Sequence, residues 1–141
     1  MKYMIMLMGS QRDYDVLTGN TPADRQAWTL EEVQTLHKFM GDWNNALVES
    51  GEFVEARGLS DPAHARRISA KDGVPVVTDG PYPETQEVLA GYTIVECESI
   101  DRATEIAAQL VNTPHPEHAQ LDTEWYVDIR PIAEHAPEPE I

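Results

Sequence analysis

The chain has 141 residues, the usual size of one domain and long enough to bury a core without disulfides or metals. Its 25 Asp+Glu against 10 Lys+Arg give a formal net charge of −15. That surface repels a nucleic-acid backbone and an anionic membrane alike, and no Lys/Arg cluster offers a local exception, so neither is an expected partner.

Residues 3 to 8 read as a strand, with Tyr3, Ile5 and Leu7 on one face and Met4, Met6 and Met8 on the other. Both faces are apolar, so both need a cover. The protein's own helices supply one; a second subunit is the simple candidate for the other. The apolar start is far too short for a signal peptide or a membrane span, no later stretch is long enough to cross, and the cytoplasm is the expected setting. Residues 9 to 28, with Gly9, Gly19, Asn20 and Pro22, read as a long polar loop.

Thr29-Leu30-Glu31-Glu32 is a capping box opening a helix, and Val33, Leu36, Met40, Trp43 and Leu47 recur at helical spacing up to Gly51. His37 and Asn44 lie together at one edge of that stripe. Residues 52 to 59 read as a strand. Residues 65–70 and 74–78 read as a hairpin turned by Lys71-Asp72-Gly73. Thr78-Asp79-Gly80-Pro81-Tyr82-Pro83-Glu84-Thr85-Gln86-Glu87 follows as a stiff polar loop, because Pro81 and Pro83 fix two φ angles and remove two donors. Its readings are a solvated connection or a rigid platform for function.

Residues 91 to 97 read as another strand. Cys97, the single cysteine, excludes an internal disulfide and reads as a small buried residue or a reactive thiol. Ser99 caps a second helix with Ile100, Ala103, Ala107 and Leu110 on its buried stripe. A loop at 112–122 and a strand at 125–132 complete a domain over 1–132; the acidic tail 133–141 is expected to be disordered. His115-Pro116-Glu117-His118 resembles a metal cluster but lacks helical context, so no metal is expected. The order strand, helix, strand, hairpin, strand, helix, strand predicts an α+β, ferredoxin-like domain with an inserted β-hairpin. Two subunits packed sheet to sheet would cover the helix-free face.

The stretch from Thr78 to Glu87, followed by Gly91-Tyr92, resembles the signature of the YCII-related family, in the members that carry the DGPF motif. Lys2-Tyr3-Met4, the Gly51 turn with Gly58-Leu59, and Asp128-Ile129-Arg130-Pro131-Ile132 fit the same family in the same order. Tyr82 stands where phenylalanine is usual, Gln86 where lysine is usual, and the loop before Thr29 is longer than usual. The resemblance implies a homodimeric α+β barrel; no cofactor is expected. It also implies a regulatory context, since some members are encoded near extracytoplasmic-function sigma factors. Relatives in the wider superfamily use a histidine and an aspartate in a cleft, and one kind eliminates chloride from an aromatic diol.

His37 and Asp79 are the candidate catalytic pair, although His37 falls about one helical turn before the relatives' histidine, a place that Met40 takes. A carboxylate on one imidazole nitrogen fixes the tautomer and leaves the other as an acid/base near neutral pH. The competing reading makes His37 a helix-edge residue and Asp79 the cap of its own turn. Tyr3, Asn44, Tyr82, Glu84, Thr85 and Arg130 are the candidate substrate-binding residues. Arg130 offers a fork for a carboxylate, or an internal ion pair with Asp128 or the Glu84/Glu87 loop. The two functions in view are cofactor-free proton transfer or elimination on a small organic molecule, and a non-catalytic module binding a small ligand or a partner. A loop that mainly builds the dimer is the structural alternative.

Overall fold

The computed structural model describes residues 1–18, 25–80, 88–119 and 125–134, and only the backbone of Val88. β1 (Lys2–Gly9) leads into α1 (Gln11–Thr18); α2 (Leu30–Ser50), β2 (Phe53–Gly58), β3 (Arg66–Lys71), β4 (Val74–Asp79), β5 (Val88–Glu96), α3 (Ile100–Ala108) and β6 (Val127–Pro131) follow. The order β2-β5-β1-β6, antiparallel throughout, is the ferredoxin-like α+β arrangement, and β3–β4 forms a separate two-stranded sheet.

α2 forms where the sequence places it because both ends are satisfied. Thr29 Oγ1 accepts from the Glu32 N–H at 3.1 Å and Glu32 Oε1 accepts from the Thr29 N–H at 2.8 Å. Gly51 (φ 81°) ends the helix, its N–H reaching the Val48 carbonyl and that of Glu52 the Leu47 carbonyl. The stripe of α2 delivers Trp43 and Leu47 to a core completed by Tyr3, Ile5, Val95, Ala103, Ile106, Ala107 and Leu110. The Trp43 indole donates to the Ile106 carbonyl at 3.2 Å and so ties α2 to α3 inside that core.

The two-sided reading of β1 takes a definite form. Tyr3 and Ile5 are buried under the helices and Met4 and Met6 are half-buried opposite them, whereas the register shifts after Leu7 and Met8 borders a cavity with Tyr14 and Leu36. The stretch read as one loop from 9 to 28 contains α1 instead. Ser10 Oγ accepts from the Asp13 N–H and Asp13 Oδ2 from the Ser10 N–H, which is a capping box built with Asp. The helix is eight residues long and buries Val16. The glycine and proline of the following residues hid it. The final strand is shorter than expected, beginning at Val127. The expected disordered tail falls almost wholly outside the described residues.

Just before β2, Glu52 receives both Nε and Nη2 of Arg102 at 2.8 and 2.7 Å, clamping α3 to the sheet. These bonds, helped by the Ser50 hydroxyl, hold the Glu52 carboxyl below its ordinary value of 4.5. A carboxyl lowered on folding contributes stability above its unfolded value, and that contribution is lost as pH falls through the folded value. Stability should therefore decline on acidification below about pH 4.5, and Glu52→Gln should flatten that decline in urea titrations run across the acid range.

Candidate functional site

The sheet has a floor without side chains at one end. On the helix side, Gly91 pairs with Leu7 of β1 and with Gly58 of β2. Two facing glycines leave a hollow that Leu36, Met40 and Asn44, spaced four residues apart on one face of α2, roof over. The larger part is a cavity of about 640 Å³ and the smaller a cleft of about 420 Å³; Gly58 and Ala90 border both.

The larger cavity is walled by Tyr14 and Leu17 of α1, by Trp28, by Leu110 and Val111 after α3, and by Trp125. Tyr14 is set by its hydroxyl, which shares its proton between the carbonyls of Leu59 (2.9 Å) and Ala90 (3.2 Å). Burial, and then the Asp61 carboxylate, push this phenol above its usual value. Asp13 on the wall pairs with Arg25 at 3.0 Å. His115 lies exposed at the rim, its Nδ1 at 3.3 Å from the Pro116 carbonyl. The wall after α3 is anchored to α2, since His118 Nε2 sits 3.3 Å from Glu32 Oε1. Hydrogen bonding from the Thr29 N–H, and then from His118, holds Glu32 below the usual carboxylate range.

The structure disperses the residues singled out from the sequence. His37 is exposed on α2 and makes no hydrogen bond to Asp79 among the described residues. Asp79, at the end of β4, accepts from Arg66 Nε across the hairpin at 2.8 Å, and the rest of its turn, from Pro81 on, lies outside the described residues. Tyr3 is 3% exposed in the core, its hydroxyl 3.6 Å from Met1 Sδ. Arg130 lies exposed on the helix-free face, opposite Met4. Tyr82, Glu84 and Thr85 lie outside the described residues. Among the described residues of this set, only Asn44 borders the hollow, lining the smaller cleft and accepting from Thr93 Oγ1 at 3.5 Å.

Tyr14, Trp28, Gly58 and Trp125 carry the cavity and were not singled out. Ser10 and Asp13 were the signal for α1 and hence for Tyr14; nothing in the local sequence brings Trp28 to Trp125. Among the described residues no group of three His, Cys, Asp or Glu gathers as a metal site, and no helix is long and apolar enough to cross a membrane.

Residues 1–115 match the YCII-related domain, a range that takes in the described residues lining the hollow except Ala119 and Trp125. The chain is also 30% identical over 124 residues to an uncharacterized protein of Rhizobium meliloti (strain 1021), covering 88% of this chain and 94% of that one.

Proposed function

This chain belongs to the YCII-related family, and we propose that it binds a small, largely apolar organic molecule in the cavity beneath α1 and α2. The observation that carries this reading is the cavity itself. Its volume of about 640 Å³ falls in the ordinary range for small-molecule sites, and aromatic walls with few polar groups are what such sites use. Among the described residues, Asp13 is the one acidic or basic wall residue besides His115 at the rim, and Arg25 already matches it, so this lining favours a neutral ligand. Asp79-Gly80-Pro81-Tyr82 supports placing the chain among the DGPF-motif members.

Two copies joined through the helix-free faces of their sheets complete the proposal. Met4, Met6 and Ile94 form a half-buried apolar row there, rimmed by Glu55 and Asp128 as well as Arg57 and Arg130. A face carrying both signs around an apolar centre can match its own copy.

Trp28 and Trp125 supply the measurement. Titration with a neutral arylamine probe such as N-phenyl-1-naphthylamine should quench tryptophan emission saturably, and compounds retained from the host cell should displace it. Linear, unsaturable quenching over the whole soluble range sinks the cavity reading. The catalytic version of this reading assigns proton transfer to His37 with Asp79. His37→Gln then abolishes turnover of a true substrate while the probe's affinity stays the same; unchanged turnover removes His37 from any mechanism. The non-catalytic version, a ligand-binding regulator beside an extracytoplasmic-function sigma factor, leaves the bound compound chemically intact.

A further inference from the structure

The inner end of the smaller cleft carries two polar side chains that its apolar surroundings do not call for. Gly91, Thr93 and Val95 alternate along β5 on the helix side, so Thr93 stands where the glycine floor ends and the core begins. It is 2% exposed, and a valine has the same shape. A hydroxyl in that place is costly unless it is well bonded. Its bond to Asn44 Oδ1 is 3.5 Å long, against the ~2.8 Å usual for a hydroxyl donor. Asn44 gives only that oxygen to the fold: among the described residues its amide nitrogen has no hydrogen-bond partner. Thr93 thus engages the Asn44 oxygen and leaves two N–H donors unmatched beside the cleft. Arg57, the charged residue bordering the cleft, pairs with Tyr92 at the alternate positions of their strands, which send side chains to the helix-free face.

We propose that the ligand of this hollow is a neutral carbonyl compound: the Asn44 amide donates to its oxygen at the inner end of the cleft, and its apolar body fills the larger cavity. The inference rests on the small-molecule reading above and adds the class of ligand. Unmatched N–H donors call for an acceptor with no proton of its own, and a carbonyl oxygen is such a group. A carboxylate there would be buried without a cation, because Arg57 is the one charged residue of the described lining and its side chain lies on the other face of the sheet. Length is set as well. Leu36 in the cavity wall and Asn44 in the cleft share one face of α2, about 12 Å apart along its axis. A compound that reaches both crosses the floor at Gly58 and Gly91, where no side chain stands in its way.

Two probes that differ only in the carbonyl oxygen test this: 2-acetylnaphthalene and 2-ethylnaphthalene, each displacing N-phenyl-1-naphthylamine from the wild type and from Asn44→Leu. Leucine keeps the shape of the side chain and removes its donors. The variant should bind the ketone about fivefold more weakly or worse, the worth of one neutral hydrogen bond, and the hydrocarbon at least as tightly as the wild type does. A smaller loss for the ketone, an equal loss for both probes, or a wild type that takes up the arylamine but not the ketone overturns the carbonyl inference and leaves the cavity reading standing. A wild type that binds none of the three overturns the cavity reading itself. Circular dichroism checks the fold of the variant; should it fail to fold, infrared spectra of the ketone on the wild type decide. A carbonyl stretch lowered from its value in hexane supports the hydrogen bond, and a stretch at the hexane value overturns it.

Discussion

Gly80→Ala should cost about 3 kcal/mol of stability, at the upper end of what forced overpacking does. A β-carbon built on Gly80 would lie 1.9 Å from the Pro62 carbonyl oxygen and 3.0 Å from its carbon, both backbone atoms. Nothing nearby can yield. The Gly80 N–H already donates to the Ala65 carbonyl at 2.9 Å, and Pro62 is buried. The turn at Pro62–His64 is bolted in turn to α1, because Gln11 donates to Asp61 and accepts from the Ala63 N–H. Displacing the turn therefore strains the helix that carries Tyr14. Urea unfolding should show a clear fall in midpoint, with Gly41→Ala as control: it lies in α2 with nothing within 4 Å of a β-carbon and should gain up to about 1 kcal/mol from helix propensity. Equal stability of Gly80→Ala and wild type would mean that this close approach is not a constraint.

Gly58→Phe should lower the affinity of any cavity ligand at least tenfold, about 1.4 kcal/mol, while leaving the fold intact. The position is unusual in offering space without strain. A β-carbon there meets nothing within 4 Å, and Gly58 is not among the positive-φ glycines. It pairs with Gly91 on the helix side, so a phenyl ring would project into the hollow that both cavity and cleft share. Gly91 cannot serve in its place, since its β-carbon would come to 3.0 Å from the Arg57 carbonyl oxygen. Probe titration on Gly58→Phe and Gly58→Ala should give a graded loss at constant melting temperature. A folded Gly58→Phe that binds the probe as the wild type does would place the ligand elsewhere.

Much of the fold was legible because its signals are local. The Thr29–Glu32 box, Gly51 and Asp72-Gly73 each solve a backbone problem within a few residues, and the structure uses all three as the sequence suggests. α1 escaped because its box uses Asp13 where Glu is the familiar partner, and because its eight residues run straight into Gly19-Asn20-Thr21-Pro22. The site was less legible for a different reason. A hollow made by two glycines facing one another across β2 and β5 depends on strand register, which no single segment encodes. Asp79 drew attention through its motif, but cross-strand pairing with Arg66 decides where it points.

Among the described residues, the foot of the hairpin is clasped by the backbone hydrogen bond from Gly80 to Ala65. Six paired residues make its lever about 20 Å long. A rotation of about 10° at that clasp moves the tip by about 3 Å, roughly the width of one residue step. The clasp rests on the Pro62 turn, and that turn holds α1 against the cavity. Angular freedom at the tip and the seating of Tyr14 are thus fixed at a common fulcrum, and restraining one should damp the other.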